Sequence, residues 1–361
     1  MNTWLLIIFI QLLLIGCTCE RNAIAIASPS YKPRMLIITA DDFGASKNIN
    51  EGIEFAANEN AITSVSALTN FTASLPALVK ISKMHPEIGI GVHLNITTGK
   101  PILASSQVPS LVGPDGSFYP LDKLLPVIGR VSTDELRKEL RAQVMALAEC
   151  GIRVDHLSDQ YGIISFYGPF YDIMLDLAME FKVPVRSPEI ASIKFPHVFT
   201  DSKVNKCGRK AAFRLAMSNP VQAIRLLRYS GPGEMEKKSR KLDELGIVHP
   251  DLLIDCFWGN PTASNYLNIL KHLPEGTSEI IVHCGTFSRQ QNYPGGLDQE
   301  YFNNRENELV IITSGYLKQY YDYLKIERIG YYSLPADGKY VLGKKDEAKN
   351  QNGLNAIFDS K

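Results

Sequence analysis

Two adjacent carboxylates, Asp41 and Asp42, end an apolar run, MLIITADDFG over 35–44. Later apolar runs end in the same way. EIGIGVHLNIT over 87–97 carries His93 near its end, IRVDHL over 152–157 carries Asp155 and His156, and EIIVHC over 279–284 carries His283. Together, carboxylate and imidazole can hold a divalent cation and leave groups over for acid and base work. Each alone has a plainer reading. A lone Asp-Asp pair before a helix more often caps the helix and solvates a loop, and a single His on an apolar strand is more often a satisfied core residue. The recurrence at four strand ends is what argues for chemistry. No GxSxG, P-loop or GxGxxG is present to suggest a rival.

The elements that must position these residues alternate. Met35–Thr39 is short and β-branched, as expected of a strand buried on both faces, and a helix-like segment follows from about Ser46 to Asn58. A β-rich run over 61–70 precedes helical spacing over 75–85. Ser132–Cys150 is the clearest helix: Ser132 and Glu135 form a capping-box pattern, and Leu136, Leu140, Val144 and Leu147 share a face. A helix over 171–181, a short strand end over 184–186 and a strand over 251–256 continue the series. This alternation predicts an α/β fold with a parallel sheet, whose chemistry gathers at the carboxyl ends of its strands. The long Gly/Pro-rich loop through Gly99, Pro101, Gly113 and Pro114 is expected to shape a substrate pocket there.

With 361 residues and 45% hydrophobic content the chain can bury one large core. Lys+Arg and Asp+Glu both number 38, so the overall charge gives no argument for a nucleic-acid partner. The basic, helical stretch from Lys203 to Leu242 reads as a solvated face. Residues 1–17 read as an export signal: Trp4–Gly16 is almost unbroken Leu and Ile, too short to span a bilayer comfortably, and ends in LLIGC. That ending resembles a bacterial lipobox, which would make Cys17 the lipidated first residue, with 18–34 as a tether. An ordinary cleaved signal and an uncleaved anchor are the alternatives, since no Lys or Arg precedes the run. The expected location is exported, lipid-anchored to the bacterial membrane or periplasmic. Cys19, Cys150, Cys207, Cys256 and Cys284 show no CxxC spacing and read mostly as buried thiols. An oligomer is left open.

Beyond these readings, the motifs resemble the YdjC-like carbohydrate deacetylases. ADDFG at 40–44 matches that family's opening motif, GVHLNITTGKPI at 91–102 its second, and VPSLVGPDGSF at 108–118 the loop after it; Arg186 and the His283-Cys-Gly stretch fit later motifs. The resemblance spans about Met35 to Tyr323. It implies an irregular (β/α) TIM-like barrel as a single catalytic domain over 35–330, with 331–361 as a short extension and polar tail. It also implies a divalent metal, magnesium ahead of zinc, and hydrolysis of an N-acetyl group on an amino-sugar oligosaccharide. Carried over by motif, Asp42 and His93 are metal ligands, Asp41 the base that takes a proton from water, and His283 a protonated imidazole that delivers one to the departing amine. Arg186 and Asn95 stand as substrate-binding candidates. One departure matters: the family's fourth-strand motif reads His-Leu-Asp-Ser-His, and here Gln160 stands where its last His, the remaining ligand, belongs. Asp159 is the expected substitute ligand, with His156 moving into the site, or a site that holds metal weakly, as the alternatives. The alternative function is a catalytically silent carbohydrate-binding protein with the same barrel and a degraded metal site. ELVIIT over 308–313 resembles the last strand region, a helix is expected over 317–324, and a hairpin around Asp337-Gly338.

Overall fold

The computed structural model describes residues 33–199, 203–286 and 299–334. The export signal, Cys17, most of the tether and the hairpin at Asp337 lie outside the described residues. Among the described residues, no helix is long and apolar enough to cross a membrane.

Among the described residues, seven parallel strands form one curled sheet: β1 (Arg34–Phe43), β2 (Ser64–Ala67), β3 (Gly89–Leu94), β4 (Val154–Asp159), β5 (Leu252–Ile254), β6 (Gly276–Val282) and β7 (Ile326–Arg328). Their order is β4-β3-β2-β1-β6-β5, with β7 beside the start of β1. Between the two edges runs the segment 184–190. Val185 bridges to Leu157 of β4 and Ile190 to Leu253 of β5, so a strand-like stretch closes the ring through single bridges. This is the irregular, TIM-like parallel barrel with helices that the alternation and the motifs predicted.

Most strands and their helices agree with the expected pattern. Ser46 caps the helix Lys47–Asn58, its hydroxyl accepting from Ile49 N, so neither Asp of the acidic pair serves as cap. Ser132 caps Thr133–Glu149 as predicted, but the Glu135 carboxylate accepts from Ser110 N instead of returning to Ser132. One reading is corrected. All but the last residue of ELVIIT belongs to the helix Gln299–Ile312, because a helical turn buries Glu308, Leu309, Ile311 and Ile312 together, the three aliphatic residues in the main core. Tyr331, just past the expected domain end at 330, is fully buried and packs with Ile37, Val248, Ile329 and Leu334.

The barrel lumen is polar. Where such barrels usually hold branched aliphatic residues, this one holds Ser64, Ser66, Asp155, His156, Ser158, Arg186, Glu279 and Tyr331, all buried and linked by hydrogen bonds.

A candidate active site at the carboxyl ends of the strands

Adjacent strand residues point to opposite faces, so a regular β1 could not aim Asp41 and Asp42 into one site. β1 is not regular. Ala40 pairs with Val65 and Phe43 with Ala67, which leaves one extra residue on β1, and Asp42 takes the left-handed backbone at φ 71°. This bulge turns both carboxylates inward, a placement that costs backbone strain and is typical of functional sites.

Asp41 is nearly fully buried and forms a bidentate pair with Arg186, whose Nη1 and Nη2 donate to its two oxygens at 2.8 and 2.7 Å. Burial alone would raise the Asp41 pKa. The guanidinium, with His93 and His283, overrides burial and holds the carboxyl well below the usual range. Arg186 also donates to Glu279 from Nε and Nη2, and Tyr331 donates its hydroxyl to Glu279 at 2.6 Å. With its guanidinium engaged on both sides, Arg186 supports Asp41 and Glu279.

Asp42 and His93 come together. His93 Nε2 lies 3.6 Å from Asp42 Oδ1 and 4.0 Å from Asp41 Oδ2, while its Nδ1 bonds Ser158 Oγ at 2.8 Å. The other Asp42 oxygen accepts from Arg305, a residue no sequence motif pointed to. Arg305 is buried, its guanidinium lies over the rings of Tyr301 and Trp258, and among the described residues its Nε and Nη1 have no hydrogen-bond partner. Burial would raise Asp42; Arg305, His283 and His93 lower it instead.

Asp159 does not join this corner. Its carboxylate accepts from Ile164 N, Ser165 N and Ser165 Oγ, capping the turn after β4. The residue at the expected ligand position, Gln160, is buried, and its Oε1 accepts from Thr97 Oγ1 at 3.1 Å. Asn95 is fully buried, and its amide holds Thr97, Thr98 and Asn70, so it shapes the loop.

His283 follows β6, its ring 4.3 Å from Trp258 and its backbone N donating to Glu308 at 2.6 Å. Burial first, then Arg305, push it down to about 4. This favours the neutral imidazole at neutral pH in the free chain. The depressed value has a stability consequence. An unfolded chain takes up this proton below pH 6.5, whereas the folded chain resists until about 4, so stability falls as pH drops through that window. The loss is about 3 kcal/mol from this group. His283→Gln is expected to remove it, read as a shallower decline in denaturation midpoint between pH 6.5 and 4 than in the parent chain.

The donor chemistry sets what cation fits. Among the described residues, no group of three His, Cys, Asp or Glu side chains is arranged around one metal position. Two donors, Asp42 Oδ1 and His93 Nε2, do converge without a hydrogen-bond contact between them. Such a corner suits a hard divalent cation that keeps several waters, and suits poorly a zinc ion, which takes three or four protein ligands.

The family model described as YdjC-like protein matches residues 35–323. A carbohydrate deacetylase of Brevibacillus brevis is 28% identical over 308 residues, covering 83% of this chain and 99% of its own length. One from Thermoanaerobacter pseudethanolicus is 26% identical, covering 78% and 91%. A solved Enterococcus faecalis V583 structure, described as a cellobiose-phosphate cleavage protein, superposes with TM-score 0.64 at 23% identity, covering 83% of this chain and 98% of its own; at that identity it speaks for the fold alone. Deacetylases of this family are metal-dependent hydrolases in general, and the strand-end carboxylates and imidazoles described above lie within the matched span. On that match, this chain belongs to the YdjC-like family.

Proposed function

We propose that this chain removes N-acetyl groups from amino-sugar oligosaccharides by hydrolysis. The observation that supports it most is Asp41: a buried carboxylate kept ionised by Arg186, within 4.0 Å of His93 at the carboxyl end of the barrel. In the reaction a water attacks the acetyl carbonyl carbon, Asp41 takes the water's proton, and the C–N bond breaks as the sugar nitrogen gains a proton. Asp42 and His93 would hold the divalent cation, magnesium in preference to zinc, which when bound supplies Lewis-acid polarisation of that carbonyl. Neutral His283, whose Nδ1 lies 3.9 Å from the Glu308 carboxylate, would bond the acetyl group or the leaving nitrogen through its other ring nitrogen. From Thr97, which bonds Gln160, opens a groove of about 570 Å³ lined by Thr98, Gly99, Phe118, Tyr119 and Lys123, with room for further sugar units.

Gln160 and the Arg305 contact to Asp42 favour a second reading, a carbohydrate-binding protein that no longer hydrolyses. One experiment separates the two. The chain is incubated with N-acetylated chitooligosaccharides and Mg2+, acetate is measured, and binding is followed by calorimetry. Acetate release that chelation abolishes supports the enzyme; binding without release, with or without metal, establishes the second reading. In the same series Gln160→His, which supplies a third imidazole or carboxylate donor, is expected to raise Mn2+ affinity at least about tenfold. Unchanged affinity would mean that position 160 does not face the cation.

We also propose export and lipid attachment, on the LLIGC pattern alone. Cys17→Ser is expected to move the protein from the membrane to the soluble fraction of its cell; retention in the membrane would count against lipidation.

A further inference from the structure

A buried chain of hydrogen bonds runs from His93 to the far side of the lumen. His93 Nδ1 meets Ser158 Oγ at 2.8 Å, Ser158 Oγ meets Ser66 Oγ at 2.9 Å, Ser66 Oγ meets His156 Nε2 at 2.8 Å, and His156 Nδ1 meets Asp155 Oδ2 at 3.2 Å. Each of these residues is buried. The sheet makes room for them. β4 carries an extra residue between Val154 and Leu157, so Asp155 and His156 both turn inward. On β3, a Cβ at Gly89 would lie 2.0 Å from Asp155 Oδ2 and one at Gly91 2.3 Å from His156 Nδ1. Tyr331 stacks on the His156 ring at 4.1 Å and 9° and holds its plane.

We infer that Asp155, acting through His156, Ser66 and Ser158, sets the tautomer of His93 and so turns the Nε2 lone pair toward Asp42. The direction follows from the end that has no choice. A carboxylate only accepts, so His156 carries its proton on Nδ1 and accepts at Nε2. Ser66 therefore donates to His156, Ser158 donates to Ser66, and His93 donates its Nδ1–H to Ser158. That leaves Nε2 of His93 unprotonated, 3.6 Å from Asp42 Oδ1, in the form a cation needs. A ligand histidine commonly has a carboxylate directly on its second nitrogen. Here the carboxylate stands four hydrogen bonds away. The tautomer is independent of the proposed activity; only its use as a ligand rests on that reading.

The test is the imidazole 15N spectrum of the full-length, metal-free protein, with the His93 signals assigned by their loss in His93→Gln. His93 is expected to show one protonated Nδ1 and one unprotonated Nε2. Asp155→Asn is the decisive variant. Its amide can donate to His156 Nδ1, every hydroxyl along the chain then reverses, and His93 is expected to switch to the Nε2–H form. Adding Ser158→Asp to Asp155→Asn puts a carboxylate beside Nδ1 and is expected to restore the first tautomer, which a merely structural role for Asp155 would not allow. If Asp155→Asn fails to fold, Ser66→Ala breaks the chain with a smaller change and is expected to give a mixture of tautomers. A folded Asp155→Asn or Ser66→Ala protein with an unaltered His93 spectrum overturns the inference. Mn2+ affinity, expected to weaken about tenfold in Asp155→Asn and recover in the double variant, reads the ligand role separately. A tautomer that switches without any change in Mn2+ affinity would remove His93 as a ligand while leaving the relay in place.

Discussion

Asp41→Asn is expected to lower the rate of acetate release by about 10³-fold while oligosaccharide binding stays within a few-fold of the parent. Asn has nearly the same shape and keeps an oxygen for one Arg186 donor, so the neighbourhood is disturbed little. What disappears is a base. The Arg186 pair, working against burial, keeps the Asp41 carboxylate ionised well below neutral pH. The amide cannot take a proton from water at any accessible pH. Acetate release measured under saturating substrate, with binding followed in parallel by calorimetry, distinguishes loss of chemistry from loss of the site. A variant that keeps its rate would leave water activation to some other group.

The second large effect concerns stability. Arg186→Met is expected to cost about 3–5 kcal/mol, since it leaves two buried carboxylates without their common cation. Asp41 is 2% exposed and Glu279 fully buried, and each takes at least two hydrogen bonds from this one guanidinium. Tyr331 reaches Glu279 from the other side but brings no charge. For a domain of this size the loss corresponds to a fall of about 5–8 °C in Tm. Removing one of the stranded charges as well, in Arg186→Met/Glu279→Gln, is expected to return part of it. A single variant that melts within about 2 °C of the parent would show that Arg186 does not carry the buried network.

The same residues show what could be read before the fold was known. Strand ends at Asp41/Asp42, His93 and His283 were legible because a buried parallel strand writes itself as a short apolar run, and a polar residue at its end has few structural reasons to be there; Asp155 and His156, expected at a strand end, instead lie near the start of β4, which runs on to Asp159. The α/β alternation, the Ser132 cap and the family motifs followed from equally local patterns. The roles of single side chains did not. Asn95 and Arg186 have the chemistry of substrate-binding groups, and only their neighbours 25 to 145 residues away show that their polar atoms are already engaged. Asp159 has the charge of a ligand but caps the turn after its own strand.

Local composition determined which residues could do chemistry and roughly where along the chain. Tertiary structure decided which way they face. The two bulges that bring Asp41 with Asp42, and Asp155 with His156, inward depend on register against a neighbouring strand, and no single strand encodes its register. Arg305, on a helix more than 260 residues after Asp42, joins the site only when that helix packs against the helix Lys47–Asn58; a Cβ at Gly52 would lie 2.6 Å from Gly285 Cα, and one at Gly285 3.3 Å from Arg305 Cβ. Long-range electrostatics acts between residues that the chain brings together only on folding, which is why the ionisation of the site belonged to the structure and the inventory of its groups to the sequence.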